Sequence, residues 1–316
     1  MKKLLSVVMA LCMVMLVSVS AFASFSDMPA GKDGEVLAKA VENGLIQGFE
    51  DGTIRPDETI TRAQMAAIIV RATNAEKTED ISSFNDITAD AWYYDVLSKA
   101  VSMGAFKGDD KKCLNPNSTI TRQEAFIVFC RIFDLPDASI SILSGAPDGD
   151  AVSTWAREEV GRVMASGYID TSEAIRPLAP MTRIEFARIM DKLVATFIDK
   201  EGEYTSLPEG NVMVRANNVS FKGVKTNSVL IIGDGVTTPV KFDECEIEKI
   251  TFRGAKGIFN SGTYGLVRAV GNGTEIYIMK KPLELLKKYE DGSTGKFSAE
   301  PGKGVLVPLT EMVELQ

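Results

Sequence analysis

The spacing of apolar residues changes near residue 199, from a helical period to short alternating runs. Before that point, apolar residues recur three and four positions apart, as in Met65, Ile68 and Ile69, which predicts amphipathic helices. After it, β-branched runs at 229–232 and 250–252 predict strands. The pattern therefore predicts an α + β multidomain protein, with a helical N-terminal region followed by a β-rich C-terminal domain.

The helical region repeats itself three times, with a period of about 60 residues. In each copy a first helix carries an apolar stripe and ends at a glycine: Gly44, Gly104 or Gly167. A turn-rich loop and a second amphipathic helix follow. One two-helix unit is too small to bury its own core, so we expect the three units to pack together as one domain.

Each second helix opens with Thr-Arg-x-Glu or Thr-Arg-x-Gln. A threonine and a Glu or Gln three residues later form a capping box, which satisfies backbone N–H groups that the first turn leaves unpaired. Helix capping therefore accounts for these residues without a ligand. The pairs are Thr61 with Gln64, Thr121 with Glu124, and Thr182 with Glu185.

The arginine of this motif lies beside the positive end of the helix dipole, where a cation is unfavourable by a few tenths to about 1 kcal/mol. Three copies of that penalty require a compensating anion. Two candidates remain open: an aspartate at the start of each repeat, or an acidic ligand held by the arginine and free helix N–H groups. The arginines are Arg62, Arg122 and Arg183, and the aspartates are Asp27, Asp86 and Asp148.

Two further features distinguish the repeats. Trp92 and Trp155 occupy equivalent positions near the start of the first helix, where repeat one has Lys32. An indole face can stack on a sugar ring, although a large aromatic residue at a helix start is more often part of the core. The loops of repeats one and two contain Gly48 and Gly108, where repeat three has Thr171.

Taken together, these motifs resemble the S-layer homology family. The resemblance rests on a Phe-x-Asp opening, an aromatic residue at the first helix, a Gly-x-x-x-Gly loop, a proline and the Ile-Thr-Arg-x-Glu start of the second helix. It covers residues 25–198 and implies three modules, at 24–78, 79–138 and 139–198, arranged as a pseudo-threefold helical bundle.

The resemblance also implies a function. Such modules anchor exported proteins non-covalently to secondary cell-wall polysaccharide, often pyruvylated, in grooves between neighbouring modules. We therefore expect a non-enzymatic, monomeric cell-surface protein that binds this acidic carbohydrate and needs no cofactor or metal. The residues that the resemblance assigns to binding are Arg62, Arg122, Arg183, Trp92, Trp155, Asp27, Asp86, Gly48 and Gly108.

The three copies are unequal, so we expect one or two functional grooves. Repeat one lacks the tryptophan, repeat three lacks the loop glycine, and repeat two keeps every element. Arg122 of repeat two is therefore the first candidate for ligand binding. An envelope enzyme with a carbohydrate-active C-terminal domain and a self-assembling lattice subunit are the alternatives.

The C-terminal domain, residues 211–316, contains a second repeat with a step of 21 residues. Phe221 matches Phe242, and Val229 matches Ile250. Alternating apolar positions at a fixed step predict the rungs of a β-solenoid, with 258–278 as a degenerate third rung. A small β-sandwich is the alternative.

Composition and spacing also predict the structure of the segments beside these rungs. Residues 199–210 are charged and contain Pro208, which predicts a linker, and 282–289 predict a short helix. The acidic run holds Glu244, Glu246 and Glu248 at alternate positions. Alternate strand residues face one way, so these carboxylates should line a solvated face rather than a calcium site or a glycosidase cleft.

The N-terminal segment and the composition indicate export and exclude several classes of function. Residues 1–23, with Lys2 and Lys3 before an apolar run, predict a secretory signal peptide. The formal net charge of −8 disfavours sequence-independent nucleic-acid binding. The absence of histidine excludes Ser-His-Asp and Cys-His nucleophile systems and imidazole zinc sites.

The cysteines do not form a disulfide framework. The predicted mature chain keeps three of them, Cys113, Cys130 and Cys245, and an odd, sparse set does not suggest one. A Cys113–Cys130 bridge remains open.

Overall fold

The computed structural model describes residues 25–170, 172–270 and 274–279, and the backbone of four further strands between 283 and 315. The predicted signal peptide, 1–23, lies outside these residues. Six α-helices form the N-terminal region: α1 Lys32–Glu42, α2 Arg62–Thr73, α3 Tyr94–Ser102, α4 Arg122–Phe133, α5 Arg157–Ala165 and α6 Arg183–Leu193. Three short 3₁₀ helices, Ile140–Gly145, Gly149–Ala151 and Thr154–Ala156, precede α5.

The helices pack in a cyclic order. The second helix of each repeat lies against the first helix of the next, so that α2 packs on α3, α4 on α5, and α6 on α1. The backbone closes the same ring at the centre: the Ile60 N–H donates to Met181 O (3.0 Å), Ile120 to Ile60 (3.0 Å) and Met181 to Ile120 (2.9 Å). This closed, buried ring gives the region the predicted pseudo-threefold arrangement.

The C-terminal strands form a solenoid. The strands are β1 Thr196–Ile198, β2 Gly202–Tyr204, β3 Val212–Val214, β4 Val219–Lys222, β5 Lys225–Ile232, β6 Val240–Asp243, β7 Cys245–Phe252, β8 Lys256–Phe259, β9 Gly262–Ala269, β10 Thr274–Ile278, β11 Leu283–Lys288, β12 Thr294–Ala299, β13 Gly304–Val307 and β14 Met312–Leu315. One sheet has the order β1-β3-β5-β7-β9 and the other β13-β10-β8-β6-β4-β2. The chain alternates between two sheets whose pairing is parallel up to β10, which confirms the solenoid over the sandwich.

The register agrees with the 21-residue repeat only in part. Phe221 pairs with Phe242, as predicted, and their rings stack at 5.3 Å between centroids inside the solenoid. Val229, however, pairs with Lys249 and not with Ile250, because the register shifts between Thr226 and Val229. A local irregularity of this kind changes the step without disturbing the alternation of apolar residues.

Two assignments made from sequence composition differ from the structure. The segment predicted as a linker, 199–210, contains β2, which pairs with β4 in the solenoid. The helix predicted at 282–289 is wrong, because β11 lies there between β12 and β14 in an antiparallel sheet. Long-range strand pairing overrides local helix propensity in such short segments.

The solenoid is docked against the C-terminal ends of the helices. The Arg253 side chain is fully buried and donates to the carbonyl oxygens of Met103 (3.0 Å), Arg131 (3.0 Å) and Ile132 (3.2 Å). These carbonyls end α3 and α4, where a cation is favourable. Asp234 pairs with the Arg253 guanidinium at 2.7 Å.

A second arginine repeats this contact two strands away in the same sheet. Arg215 follows β3 as Arg253 follows β7, and it donates to Asn43 O (3.1 Å) and Arg71 O (3.0 Å) at the ends of α1 and α2. Met213 and Ile231 of the solenoid belong to the hydrophobic core of the helices. The solenoid therefore contributes two residues to the helical core and caps the helix ends, while its interior forms a second core of its own.

The cysteines of the described residues are free thiols. Cys113 is half-buried, while Cys130 and Cys245 are buried, so the Cys113–Cys130 bridge is not formed in this structure. Burial raises the pKa of the Cys130 thiol to about 12. Cys130 lies in the helical core and behaves as a small apolar residue.

Candidate functional site

Each second helix begins with a complete capping box. The Thr61 hydroxyl accepts from the Gln64 N–H (3.2 Å), and the Gln64 side chain accepts from the Thr61 N–H (2.8 Å). Thr121 with Glu124 and Thr182 with Glu185 make the same pair of bonds. Thr and Glu or Gln thus have the structural role that helix capping assigns to them.

The remaining N–H groups of the first turn are not free to bind an anion. The Arg62 N–H donates to Ser118 O (2.9 Å), and the Ala63 N–H donates to Pro116 O (3.0 Å), both in the next repeat. The amides of Arg122, Gln123, Arg183 and Ile184 donate in the same cyclic way. The expectation that free helix N–H groups help to hold a ligand is therefore wrong.

The opening aspartates bind backbone rather than arginine. Asp27 accepts hydrogen bonds from the Ile54 N–H (2.7 Å) and the Arg55 N–H (2.8 Å) of its own repeat. The hydrogen bond from Ile54 makes the largest contribution to lowering the pKa of the Asp27 carboxyl. Asp86 and Asp148 hold the corresponding loops. These aspartates are therefore not the ion-pair partners of the helix-opening arginines.

Each arginine instead binds the same loop from the opposite side, and from a different repeat. The Arg183 Nε donates to Ile54 O (2.7 Å), while Asp27 accepts from the Ile54 N–H. Arg62 and Arg122 donate in the same way to Leu114 O (2.8 Å) and Ile175 O (2.6 Å). The arginines thus stabilise the contacts between repeats.

The compensating anion is the capping glutamate of the next repeat, which neither sequence hypothesis named. Arg62 Nη1 lies 3.3 Å from Glu124 Oε1, and Arg122 Nη1 lies 3.0 Å from Glu185 Oε1. Burial alone would raise the pKa of Glu185, but the Thr182 N–H and the Arg122 guanidinium hold it below its usual value. The equivalent capping residue facing Arg183 is Gln64, which carries no charge.

Both tryptophans lie on the surface. Trp92 is 61% exposed and Trp155 is 60% exposed, so neither is a core residue. The explanation that the sequence favoured, that these tryptophans belong to the hydrophobic core, is therefore wrong. An indole face exposed beside a groove is available for contact with a ligand.

Three repeats contribute to each groove. One groove, of about 500 Å³, is lined by Arg62 of repeat one, by Lys107, Gly108 and Arg131 of repeat two, and by Trp155 of repeat three. We call it the Arg62 groove. Its walls also carry Glu124, Glu159, Asp109 and Asp110.

A second groove, the Arg122 groove, has a volume of about 290 Å³. It combines Arg122 with the loop of repeat three, helix α6 and Lys32 of repeat one. Asp33 and Arg188 on its wall form a bidentate ion pair, with bonds of 2.8 and 2.6 Å. The Arg122 groove therefore contains neither tryptophan nor a loop glycine.

The third equivalent position is the Arg183 groove. Arg183 Nη2 donates to Gln47 O (2.6 Å) in the loop that contains Gly48, and α2 of that repeat packs against α3, which Trp92 closely precedes. The first choice of Arg122 from sequence assumed that motifs of one repeat act together. The structure instead places Gly108 in the Arg62 groove and Arg122 in the Arg122 groove, and Trp92 lines neither of them.

The loop glycines are required by packing. A Cβ atom at Gly48 would lie 1.9 Å from Cε1 of Phe25, and one at Gly108 would lie 2.3 Å from Cε1 of Phe84. Repeat three has Ala146 at the phenylalanine position and Thr171 at the glycine position. Thr171 itself lies outside the described residues.

Sequence reasoning missed a second basic residue in each groove. Arg71, Arg131 and Lys192 follow the three helix-opening arginines at a constant spacing. Arg71 Nη1 donates to Leu45 O (2.7 Å), Arg131 Nη1 to Ala105 O (3.2 Å) and Lys192 Nζ to Gly167 O (3.3 Å). Their regular spacing along the sequence could have identified these basic residues.

The acidic run of the solenoid lies on a solvated face. Glu244, Glu246 and Glu248 are exposed, and Glu246 pairs with Lys225 at 2.6 Å. Within the described residues, no group of three or more His, Cys, Asp or Glu side chains is arranged to hold a metal ion. In the same part of the chain, no helix has the length and apolar character needed to span a membrane.

Comparison with known proteins agrees with the repeat. The S-layer homology domain matches residues 24–66 and 83–126. The Surface-layer 125 kDa protein of Lysinibacillus sphaericus is 34% identical over 170 residues, which cover 52% of this chain and 14% of that protein.

Two enzymes match a similar share of the chain. An Amylopullulanase of Thermoanaerobacterium thermosulfurigenes is 26% identical over 53% of this chain and 9% of its own length. The Exoglucanase XynX of Acetivibrio thermocellus is 26% identical over 53% of this chain and 16% of its own length. The chain thus spans only a small part of each relative. It contains S-layer homology domains at residues 24–66 and 83–126, and these domains, with its surface-layer relatives, indicate a location at the cell surface.

Proposed function

We propose that the chain is anchored non-covalently to secondary cell-wall polysaccharide through three S-layer homology modules, at 24–78, 79–138 and 139–198. The Arg62 groove is the observation that carries this function. It places an exposed indole, Trp155, in one cavity with Arg62, Lys107 and Arg131. An aromatic face beside several cations fits a sugar ring that bears an acidic substituent.

A pyruvylated sugar is the ligand that we propose. Its ketal carboxylate is planar, and an arginine fork can bind a carboxylate with two parallel hydrogen bonds. Arg62 already uses its Nε for Leu114 O and its Nη1 for Glu124. Lys107 and Arg131 are the additional cations that line the same cavity.

The grooves are unequal, so we propose one or two binding sites rather than three. The Arg62 groove combines Gly108 with Trp155, and the pseudo-threefold arrangement relates Gly48 and Trp92 to them at the Arg183 position, whereas the Arg122 groove has Lys32 and an internal ion pair. Calorimetric titration with purified cell-wall polysaccharide should give a stoichiometry of one or two. Three equivalent sites would contradict the proposal.

The decisive test is retention on cell-wall sacculi of a Trp155→Ala variant. Covering about half of roughly 150 Å² of exposed indole would contribute about 2 kcal/mol, or a factor of about 25 in Kd. Ile140→Ala is the matched control, since Ile140 is 52% exposed and does not line either measured groove. Sacculi stripped of pyruvyl groups test the acidic substituent.

Three outcomes of this assay would contradict the proposal: wild-type protein that is not retained on intact sacculi refutes the anchoring function, and the other two refute the site and the ligand. If Trp155→Ala binds sacculi as well as the Ile140→Ala control, the Arg62 groove is not the site. If wild-type protein binds stripped and intact sacculi equally, the polysaccharide is bound without its pyruvyl carboxylate.

An envelope enzyme is the second candidate, favoured by the relatives that are enzymes. It needs two acids in a cleft of the C-terminal domain. Glu209 and Glu246 do line one open depression of the solenoid, but Glu246 is paired with Lys225 there. We therefore place the function of the chain in its modules, with the solenoid as the part that they hold at the surface.

A further inference from the structure

The contact between α6 and α1, which we call the closing seam, joins the last repeat to the first. Two ion pairs cross it: Arg188 with Asp33 at 2.6 Å, and Lys39 with Asp191 at 2.7 Å. Among the residues that the structure describes, no ion pair joins α2 to α3 or α4 to α5. The closing seam is therefore the contact between repeats in which helix side chains meet through charge.

The other two seams have apolar residues where the closing seam has Arg188 and Asp33. These equivalent residues are all buried: Ala67 and Tyr93 between α2 and α3, and Ile127 and Ala156 between α4 and α5. The Arg188 and Asp33 side chains are instead 51% and 38% exposed. An exposed ion pair stabilises a contact only weakly, and salt screens it. The closing seam should therefore weaken as the salt concentration rises.

The first rung of the solenoid lies at the end of the closing seam. Helix α6 ends at Leu193 and the chain enters β1 at Thr196. Phe197 of β1 packs against the helical core and lines a small cavity with residues of both helices, Val36 of α1 and Met190 of α6 among them. The strand that continues α6 is thus in contact with α1.

Arg215 joins the two sides of this seam. Its Nε and Nη2 bind the two oxygens of Asp199 at 2.6 and 2.7 Å, and its guanidinium carbon lies 4.3 Å from the centre of the Phe197 ring. On the other side, Nη1 donates to Asn43 O (3.1 Å) at the end of α1 and to Arg71 O (3.0 Å) near the end of α2. The Arg215 side chain is 12% exposed, so water and salt reach these charge-assisted bonds less than the ion pairs of the seam.

We propose that Arg215 is a clasp that holds the closing seam shut, and that this seam is where the ring of repeats opens locally as ionic strength rises. The backbone ring of Ile60, Ile120 and Met181 lies at the opposite end of the second helices and stays closed. The solenoid thereby controls how firmly the three repeats are held together. This role goes beyond the proposed function and does not depend on a carbohydrate.

Hydrogen exchange of the full chain, read by mass spectrometry, tests the effect of salt. Helix α3 is the internal control, since no ion pair among the described residues joins it to α2. Raising salt from about 0.01 M to about 1 M shortens the screening length from about 30 Å to about 3 Å. Exchange of the α1 amides should increase about twofold to tenfold, and exchange in α3 should not change. A salt-independent α1, or equal increases in both helices, overturns the proposal.

Two arginine variants test the clasp at low salt. Arg215→Ala should increase exchange in α1 about tenfold to hundredfold relative to α3, because charge-assisted hydrogen bonds to the helix end are lost. Arg253→Ala is the matched control: it removes a buried arginine that follows a strand of the same sheet but caps α3 and α4. It should increase exchange in α3 more than in α1. If Arg215→Ala affects α1 and α3 alike, Arg215 is not a clasp.

A double variant tests the ion pair of the seam. Asp33→Ala with Arg188→Ile introduces the residues that occupy these positions between α5 and α4. The salt response of α1 should fall to about half, since Lys39 and Asp191 remain paired. A salt response as large as that of the wild-type chain would show that this ion pair does not control the seam, and would overturn the proposal.

Discussion

Replacing Arg253 with alanine should destabilise the helices as well as the solenoid. The Arg253 side chain is fully buried, pairs with Asp234 at 2.7 Å and caps the carbonyl oxygens of α3 and α4. Its removal deprives the buried Asp234 carboxylate of the guanidinium that is hydrogen-bonded to it. Breaking a buried pair in this way costs about 3–5 kcal/mol.

That free energy predicts a measurable shift in melting temperature. A change of 1 kcal/mol moves Tm by about 2–4 °C for a protein of this size class, so Arg253→Ala should lower Tm by roughly 6–20 °C. The helical signal in circular dichroism follows the N-terminal region, although the substitution lies in the solenoid. A single, earlier transition of the helices is therefore the expected result.

Lys225→Ala provides the matched control. Lys225 belongs to the same solenoid and also forms an ion pair, with Glu246, but its side chain is 69% exposed. An exposed pair contributes about 1 kcal/mol or less. If Arg253→Ala is no more destabilising than Lys225→Ala, or if the helices melt unchanged, the docking of the two regions does not stabilise the fold as we infer.

Three further predictions follow from individual contacts. Gly108→Ala should destabilise the fold by about 1–3 kcal/mol because its Cβ would overlap Phe84, and Phe84→Ala should relieve part of this in a double-mutant cycle of urea denaturation; equal losses in both backgrounds would contradict it. The hydrogen bond from the Thr53 hydroxyl, and then the bond from Arg55, lowers the pKa of Asp51 to about 2. The ionised Asp51 carboxylate should therefore stabilise the folded state fully above about pH 4, and this contribution should be lost as the pH falls through about 2. A carboxyl NMR titration of Asp51 with a midpoint near about 4 would refute this. Arg122→Ala should cost about 1–3 kcal/mol in urea denaturation yet leave sacculus retention nearly intact, since Arg122 is buried in contacts between repeats; lost retention without lost stability would return it to the binding site.

Local features of the fold could be predicted from the sequence because they depend on residues that are close together in the chain. The capping box joins residues three positions apart, so Thr121 and Glu124 identify it without any knowledge of the tertiary structure. The apolar alternation of the solenoid likewise identifies buried positions such as Phe221 and Phe242. Registers that include an irregularity, as between Thr226 and Val229, are not visible in such a pattern.

The sequence predicted which residue types belong to the candidate site, but not which of those residues lie together in one groove. Sequence analysis selected the arginines and tryptophans, and the structure places Arg62 and Trp155 in one groove. It could not show that residues of different repeats meet in one groove, because a repeat pattern aligns equivalent positions and says nothing about which ones come into contact. The sequence therefore favours Arg122 as the first candidate, although its groove contains Lys32 in place of a tryptophan.

The three helical units, their capped starts and the solenoid are encoded in the amino-acid pattern, since each depends on periodicity over a few tens of residues. The closing of the units into a ring depends on folding in three dimensions. So do the ion pairs of the capping glutamates with Arg62 and Arg122, and the capping by Arg253 of helices more than a hundred residues earlier. These are contacts between distant segments, and packing and charge select their partners rather than local propensity.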